Sequence, residues 1–332
     1  MTTDKQLDRV LAVDGGGSKT IAWIANVLPS NGPCRVELRV LGRGVSGPSN
    51  PRSVGFEVAL ANLDVAVAAA IEQAAIDSTS IGIACLSLAG AGRIEEQNQV
   101  RAWANARRLA KQTMVVDDVE PLRLAALYEQ QLSSSAAPSN WEKSVTLVVG
   151  TGSIACGRNG ENQSARVGGW GYLLGDEGSG FAIGLAGLRA VCRSHDRGEA
   201  LTAFQCALLK ELGLGKPTEL IGFMYQSPLP RAQVAALSEI VLNHAEQDPV
   251  AGDIVGDSIG AMVQLVTTTT QRLGLDHLTY SLALSGGILS SHSAIVARLL
   301  DELQRGQQAP YAVHLVREPV YGPLLMAAQS LY

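Results

Sequence analysis

The hydrophobic positions of the chain fall into short continuous runs that alternate with longer helical patterns. In the first 130 residues, three strand-like segments follow one another through tight turns, and helix and strand patterns then alternate. The predicted strands are 9–15, 20–29, 34–42, 81–90 and 113–118, and the predicted helices are 56–77, 94–110 and 121–132. The order βββαβαβα predicts a mixed sheet that begins as an antiparallel meander.

The same pattern begins again after a Ser/Ala/Pro-rich segment at 131–142, which is typical of a loop or linker. A strand at 145–150 ends in glycine, and a hairpin-like meander follows it. The remaining predicted elements are strands at 278–287 and 312–316 and helices at 179–195, 199–213, 230–246, 249–273, 291–305 and 320–331. Because the two halves open alike, we predict one α/β architecture used twice, with a cleft between the copies.

Composition narrows the function classes. The 332 residues carry 26 Lys and Arg against 31 Asp and Glu, a formal net charge of −5, which gives no support for a broad nucleic-acid surface. Since no uninterrupted apolar stretch reaches about 18 residues, a membrane span is not expected. The start MTTDKQLDRV has no apolar signal core, and the five cysteines form no CxxC pair. We therefore expect a cytoplasmic protein with free thiols.

Glycine clusters at the ends of predicted strands are candidate phosphate-binding loops. They are DGGGSKT at 14–20, GTGS at 150–153 and LSGG at 284–287. Glycine allows backbone N–H groups to approach an anion closely. One such loop is most simply a tight turn, but three at matching strand ends predict a phosphate-rich ligand. Asp14 precedes the first turn, where its carboxylate is placed to hold a metal-bound water. The GDSIG segment at 256–260 matches a nucleophile-elbow pattern but falls in a predicted helix.

Polar residues between these loops are candidates for catalysis and for sugar binding. VVDDVE at 115–120 ends a strand with two acids, of which one suits a helix N-cap and the other a base. In GGWGYLLGDEGSG at 168–180, Trp170 lies among glycines beside Asp176 and Glu177. An indole next to carboxylates suits a sugar, although acids also favour the start of a helix. Asn50 precedes a proline, and its side-chain amide either hydrogen-bonds to sugar hydroxyl groups or simply belongs to a turn.

These motifs, in this order and at these distances, resemble the BadF/BadG/BcrA/BcrD-type ATPase family, and within it the N-acetylglucosamine kinases. The resemblance runs from about residue 10 to the end of the chain. It implies an actin/hexokinase/Hsp70-like fold of two ribonuclease-H-like domains with ATP in the cleft. The implied domains are 1–120 and 121–317, and the helix at about 318–332 is expected to pack back on the first domain.

The resemblance also implies roles for individual residues. Asp118 is the base toward the sugar 6-hydroxyl, with Asp117 left open as the alternative, and Asp14 holds Mg²⁺. The implied sugar ligands are Asn50, Gly169, Trp170, Asp176 and Glu177. The implied nucleotide ligands are Asp14, Gly15, Gly16, Gly17, Ser18, Lys19, Thr20, Gly150, Thr151, Gly152, Ser153, Gly286 and Gly287.

The expected activity is transfer of phosphate from Mg-ATP to the 6-hydroxyl of N-acetylglucosamine. Glucosamine and N-acetylmuramic acid are alternative substrates. A partner-driving ATPase and a catalytically silent sugar-binding regulator are alternatives of another class. The family's iron–sulfur branch is disfavoured because Cys156 has no second cysteine placed to join it. The expected partners are ATP and an amino sugar, without nucleic acid or membrane, and the resemblance favours a homodimer.

Overall fold

The computed structural model describes residues 8–133, 141–225, 229 and 231–331. The chain divides into two compact units, Met1–Trp141 with Val316–Tyr332 and Glu142–Leu315. Each unit buries its own hydrophobic residues. Most of the Ser/Ala/Pro-rich segment, residues 134–140, lies outside the described residues.

The predicted strands and helices occur in the predicted order, and the short helices Pro51–Val54, Leu220–Met224 and Gly287–Ser291 were not predicted. The strands are β1 (Arg9–Gly15), β2 (Thr20–Pro29), β3 (Val36–Ser46), β4 (Ile83–Leu88), β5 (Gln112–Asp117), β6 (Ser144–Val149), β7 (Ser153–Arg158), β8 (Ser164–Gly168), β9 (Ser281–Ser285) and β10 (Ala312–Leu315). The helices are α1 (Pro51–Val54), α2 (Phe56–Ala74), α3 (Ile94–Ala106), α4 (Leu122–Leu132), α5 (Gly180–Asp196), α6 (Ala203–Glu211), α7 (Leu220–Met224), α8 (Arg231–Ala236), α9 (Ser238–His244), α10 (Pro249–Leu273), α11 (Gly287–Ser291), α12 (Ser293–Arg305) and α13 (Tyr321–Gln329).

Within the described residues, the strands form two five-stranded sheets with the same internal order. The first sheet runs β3-β2-β1-β4-β5 and the second β8-β7-β6-β9-β10. In each, the first three strands along the chain pair antiparallel and the last two join in parallel. The prediction of one mixed α/β sheet used twice is confirmed.

Strand β1 is buried on both faces, which explains why its sequence is apolar without alternation. Val10 and Ala12 point to one core, which also contains residues of α4 and α13. Leu11 and Val13 point to the other core, which contains residues of α2 and α3. Because side chains alternate along a strand, one short apolar run supplies both faces of the sheet. Burial on both faces holds the strand in place. Its last residues, Asp14 and Gly15, lie where the carboxyl ends of the parallel strands of the first sheet meet.

Helix α4 packs with the first unit, whereas the sequence prediction began the second domain at residue 121. Leu124 and Tyr128 of α4 share a core with Leu324 and Leu325 of α13. A Cβ on Gly322 would lie 2.3 Å from the carbonyl oxygen of Pro121, so the two helices meet at backbone distance. The buried apolar face of α4 therefore packs in the core of the first unit, with α13 and with strands that precede α4 in the chain.

Helix α10 is long and apolar enough to cross a membrane by length and composition alone. Its apolar residues, among them Ile259, Met262 and Val266, are buried in the core of the second unit. This packing accounts for the hydropathy of the helix. Gly256–Gly260 lies inside α10, so the nucleophile-elbow pattern has no strand before it, as expected. The helix predicted over 230–246 is divided into α8 and α9.

Candidate active site

The first glycine loop is the turn that joins β1 to β2. The N–H of Gly16 donates to the carbonyl of Lys19 at 2.9 Å. Gly17, Ser18 and Lys19 are exposed at the tip of the turn. A Cβ on Gly15 would lie 2.2 Å from Ser49 Oγ, so no larger residue fits there without displacing Ser49. The turn therefore presents backbone and side-chain donors to solvent at the end of a rigid strand.

Thr20, the last residue of this motif, points inward. It is fully buried, and its hydroxyl lies 2.7 Å from the carbonyl oxygen of Gly47 and 2.8 Å from Ser49 Oγ. Because a carbonyl only accepts, Thr20 donates to Gly47 and accepts from Ser49. Ser49 lies outside the glycine motifs and was not predicted as a site residue. Its role is apparent only from the tight packing of Gly15 and Thr20 around it.

Asn50 is tied to the first glycine loop. The N–H groups of Ser49 and Asn50 both donate to the carbonyl of Gly16, at 3.1 and 3.2 Å. Asn50 Oδ1 accepts the N–H of Arg52 at 3.0 Å and so caps α1. It also lies against Gly90, whose φ of +84° and lack of a side chain leave room for the amide. Asn50 therefore has the local role of a turn and capping residue. Its backbone N–H is hydrogen-bonded to the first glycine loop, and its side chain lies close to that loop.

Three acids lie at the carboxyl ends of two parallel strands of the first sheet, Asp14 on β1 and Asp117 with Asp118 at the end of β5, and β4 lies between these strands. Asp14 of β1 pairs with Ser87 of β4, and Asp117 of β5 pairs with Leu88 of β4. Asp117 Oδ1 accepts the N–H groups of Val119 and Glu120 at 3.0 and 2.9 Å, as a capping carboxylate does.

Asp14 and the partly buried Asp118 interact electrostatically. Burial, and then the Asp118 carboxylate, raise the pKa of Asp14 to about 7, against the opposing charge of Lys19. Two carboxylates close enough to repel each other form a site for a cation or a proton.

This pair of carboxylates suits Mg²⁺. Among the described residues, no group of three or more His, Cys, Asp and Glu side chains comes together as a metal site. Mg²⁺ in nucleotide enzymes is usually held by one or two carboxylates, with phosphate and water oxygens completing the shell. Asp14 supplies one such carboxylate, and the neighbouring negative charge of Asp118 adds to the attraction of a cation, so the site fits such an ion.

The second glycine loop folds against the start of α5. The N–H of Gly180 donates to the carbonyl of Gly150 at 2.8 Å, and that of Phe181 to the carbonyl of Thr151 at 3.3 Å. Ser153 is buried, and its hydroxyl donates to the carbonyl of Glu177 at 2.7 Å. The loop is thus connected to the 168–180 segment by hydrogen bonds.

The third glycine pair begins beside the second loop, because β9 and β6 are neighbours in the sheet. A Cβ on Gly286 would lie 2.3 Å from the carbonyl oxygen of Val149, and its φ is +98°. Both facts require glycine at this position. A Cβ on Gly287 would meet open space. The 150–153 and 286–287 segments therefore lie side by side at the carboxyl ends of β6 and β9.

The 168–180 segment separates its polar residues into an exposed and a buried group. The side chain of Trp170 is 74% exposed, and Glu177 is exposed as well. A Cβ on Gly175 would lie 3.2 Å from Trp170 Cβ and 3.5 Å from Glu177 Oε2. Trp170 and Glu177 therefore flank Gly175 on the surface, and the exposed Gly169, with a φ of +69°, precedes the indole.

Asp176 is 5% exposed and points into the protein. Its φ of +63° is unusual for a residue with a side chain, and its carboxylate lies against the 150–153 loop. A Cβ on Gly152 would lie 2.9 Å from Asp176 Oδ2, and the N–H of Ser153 points to Oδ1 at 3.4 Å. The acid thus lies beneath the 150–153 loop.

The chain is similar to known proteins over almost its whole length. The model of the BadF/BadG/BcrA/BcrD ATPase family matches residues 11–327. A protein from Clostridium acetobutylicum named N-acetylmuramic acid/N-acetylglucosamine kinase is 26% identical over 323 residues, which are 96% of this chain and 97% of the relative. A Dictyostelium discoideum protein named N-acetyl-D-glucosamine kinase is 27% identical over 330 residues, 96% of this chain and 98% of the relative.

Two solved structures have the same fold. They come from Chromobacterium violaceum and Porphyromonas gingivalis, and each bears the provisional name N-acetylglucosamine kinase. The first has a TM-score of 0.70 at 19% identity and covers 98% of this chain and 100% of its own. The second has a TM-score of 0.68 at 21% identity, with 97% and 99% covered. The predicted fold of two actin-like domains is confirmed.

Proposed function

Because the chain belongs to the BadF/BadG/BcrA/BcrD ATPase family, we propose that it is an ATP-dependent kinase that phosphorylates the 6-hydroxyl of N-acetylglucosamine. The surface pair of Trp170 and Glu177 around Gly175 carries the sugar part of the proposal. An aromatic face packs against the C–H face of a pyranose, and a carboxylate accepts hydrogen bonds from its hydroxyl groups. The names of the two relatives support an amino sugar as the substrate class.

The proposal assigns the nucleotide phosphates to the glycine loops of the two units. The exposed tip of the 14–20 turn offers N–H, hydroxyl and ammonium groups, and the 150–153 loop offers a second set of backbone donors. Gly286 and Gly287 are assigned to the adenosine. Thr20 acts through its contacts with Gly47 and Ser49, since its hydroxyl is buried. Positioning and charge stabilisation supply most of the catalysis of phosphoryl transfer.

Asp118 is the proposed general base. Its carboxylate accepts the proton of the sugar 6-hydroxyl as that oxygen attacks the γ-phosphorus and the bond to ADP breaks. Asp14 holds the metal ion that accompanies ATP. Bound Mg²⁺ supplies charge neutralisation for the phosphate oxygens. Asn50 is assigned to the sugar because its backbone and side chain fix it beside the first loop.

The proposal is tested by ADP release with Mg-ATP, first without sugar and then with N-acetylglucosamine, glucosamine, N-acetylmuramic acid or N-acetylmannosamine. Strong stimulation by N-acetylglucosamine supports the kinase and its substrate together. Stimulation by N-acetylmuramic acid or glucosamine alone supports the alternative kinases. ADP release that ignores every sugar indicates a partner-driving ATPase, and sugar binding without ADP release indicates a silent regulator.

Sugar binding has a direct optical readout. Of the four tryptophans, Trp23, Trp103 and Trp141 are buried and Trp170 alone is exposed. Acrylamide should therefore quench mainly Trp170, and the sugar substrate should protect it. The variant G175A, in which the new methyl group crowds Trp170 and Glu177, should weaken this protection. Its control is G222A in α7, where a Cβ meets open space. Equal sugar affinity in both variants would mean that the surface formed by Trp170 and Glu177 around Gly175 does not bind the sugar.

We also propose a compartment, a subunit number and the ligands of the enzyme. We expect a cytoplasmic homodimer with ATP and an amino sugar as its partners. Size-exclusion chromatography with light scattering measures the subunit number independently of the activity assays.

A further inference from the structure

The side chain of Asn50 is enclosed by two short segments that follow strands of the first sheet. Its Oδ1 accepts the N–H of Arg52 in α1. It also lies against Gly90, where a Cβ would come within 2.5 Å of the same oxygen. With Oδ1 held in this way, the amide nitrogen is the group that is left to donate to a sugar oxygen. The direction of the amide therefore depends on the places of α1 and of the turn that carries Gly90.

Helix α3 is attached to both of these segments through neighbouring residues of its first turn. The guanidinium of Arg52 donates to Glu96 Oε1 at 3.0 Å. The side-chain amide of Gln97 donates to the carbonyl of Ala91, in the turn after β4, at 3.0 Å. The start of one helix therefore holds both walls around the Asn50 side chain.

The two charges of the ion pair differ in exposure. The side chain of Arg52 is 48% exposed, whereas that of Glu96 is 16% exposed. Within the described part of the chain, Glu96 Oε2 is buried and has no hydrogen-bond partner. A carboxylate in such a place depends on its cation, because an unpaired charge is costly to bury. The pair should therefore be more persistent than an ordinary ion pair on the surface.

We propose that Arg52 is a positioning residue for the sugar, which acts through Asn50 and is itself held by Glu96. The proposal rests on the proposed function, because that function assigns Asn50 to the sugar. It adds two residues that lie outside the glycine motifs, and neither is assigned a contact with the sugar. Hydrogen bonds weaken steeply when their angle or distance is poor, so a displaced amide loses affinity although the residue is still present.

Loss of the ion pair has a defined consequence. Without its cation, the Glu96 carboxylate either takes up a proton or moves toward water, and α1 loses its side-chain link to α3. Helix α1 has four residues and none of them is buried, so no core contact of its own holds it in place. The N–H groups of Ser49 and Asn50 still donate to the carbonyl of Gly16, and the first glycine loop should keep its shape.

The test measures the KM for the best sugar and the KM for ATP with the full-length protein. R52M and E96M should each raise the sugar KM by about 3-fold to 10-fold, at or above the upper end of the range for surface ion pairs. The KM for ATP should stay within about 2-fold, because the first glycine loop keeps its backbone contacts. The double variant R52M/E96M should resemble the single variants, since both changes break one contact. R52K should recover part of the affinity, because it keeps the charge without the planar guanidinium.

A variant of Asn50 shows whether Arg52 acts through that residue. N50A should raise the sugar KM more than R52M does. Adding R52M to N50A should then change the sugar KM by less than about 2-fold, because the group that Arg52 positions is already absent. If the two losses multiply instead, Arg52 acts on the sugar independently of Asn50, and the positioning role is wrong.

The matched control is the ion pair at the other end of α3. Arg107 pairs with Asp64 of α2, and its side chain is 41% exposed, close to the value for Arg52. R107M removes this pair and should leave both KM values within about 2-fold of the wild type, since it changes no contact of Asn50. If R107M raises the sugar KM as far as R52M does, the effect comes from the packing of α3 in general and overturns the proposal. Thermal unfolding curves exclude a loss of folded protein as the cause.

The outcomes separate the two proposals. If no sugar stimulates ADP release by the wild type, the proposed function fails, and the role of Arg52 fails with it. If the wild type is stimulated but R52M keeps the sugar KM of the wild type, Arg52 is not a positioning residue and the kinase proposal stands. An equal rise in the KM for ATP would also overturn the role, because the change would then act on the first glycine loop.

Discussion

The two adjacent acids at the end of β5 have different contacts, and we propose different roles for them. Asp117 accepts two backbone N–H groups, as a capping residue does, whereas the charge of Asp118 is felt by Asp14 across the strand ends. The sequence VVDD left the choice of base open by one position. We keep Asp118 as the proposed base, because the Asp117 carboxylate accepts two backbone N–H groups as a capping residue does.

We therefore expect D118N to lower kcat by roughly 10²- to 10⁴-fold, the usual contribution of a general base, with the KM for ATP nearly unchanged. D117N is the matched control, because an Asn side chain accepts the same N–H groups and should keep most of the turnover. Steady-state kinetics with the best sugar measure both. The opposite pattern would exchange the two roles, and full activity in both variants would remove the base from the mechanism.

Asp14 should give the ligand-free protein a pH-dependent stability. Its pKa is about 7 in the folded protein against an ordinary value of 3.8, so the folded state binds the proton more tightly than the unfolded state does. The favourable contribution is therefore present below about pH 4 and is lost as the pH rises to 7 and beyond. In D14N this loss is absent.

The free energy of unfolding of D14N relative to the wild type should accordingly rise between pH 4 and pH 8. The upper limit is roughly 4 kcal/mol, from about 1.36 kcal/mol per pKa unit. Urea unfolding without nucleotide or Mg²⁺ measures it, with the exposed Asp257 changed in D257N as the control. If the free energies of unfolding of D14N and the wild type change in parallel with pH, a charged Asp14 does not destabilise the folded state.

At the scale of single elements, the outer edge of strand β3 is closed by side chains of α4. The hydroxyl of Tyr128 accepts the N–H of Leu38 at 2.7 Å, and Gln131 accepts the N–H of Cys34 and donates to the carbonyl of Val36. Unpaired strand edges invite association with other chains, and these contacts satisfy part of the edge within the molecule. Helix α4 thus connects the sheet to the core that it shares with α13.

Y128F should destabilise the protein by about 1 to 3 kcal/mol, because it leaves the buried N–H of Leu38 without an acceptor. The control is Y311F, which removes a hydroxyl from a side chain that is 56% exposed. Urea unfolding compares the two. An equal, small effect in both variants would mean that water replaces Tyr128 at the strand edge.

Elements were easier to predict than the directions of side chains within loops. The apolar run of β1 and the alanine-rich pattern of α2 reflect burial that repeats along the element, so the sequence alone locates them. The inward hydroxyl of Thr20 and the inward carboxylate of Asp176 depend instead on partners far along the chain and on one unusual φ angle. No periodicity in the sequence records such contacts.

At the scale of the whole molecule, the repeated sheet was predictable because both halves open with the same strand, glycine turn and strand. The placement of α4 was not, because it depends on packing with α13, about 200 residues later. Tyr321 at the start of α13 lies 5.1 Å from the ring of Trp23, and Leu324 and Leu325 are fully buried. The end of the chain therefore completes the core of the unit in which the chain begins.

The separate cores predict that damage to one unit leaves the other folded. Leu325 belongs to a core of the first unit and Leu208 to that of the second, and the two cores share no residue. Trp23, Trp103 and Trp141 all lie in the first unit, so in a W170F background the tryptophan emission reports the unfolding of that unit alone. L325A should lower its stability by about 2 to 5 kcal/mol, the usual effect of truncating a buried leucine.

L208A is the matched control, since Leu208 is equally buried. It should leave the tryptophan transition within about 0.5 kcal/mol of the W170F parent, because the two leucines belong to cores that share no residue. Circular dichroism at 222 nm should meanwhile show an earlier loss of helix from the second unit. If L208A shifted the tryptophan transition as far as L325A does, the two units would unfold as one cooperative system, and separate cores would not mean separate stability.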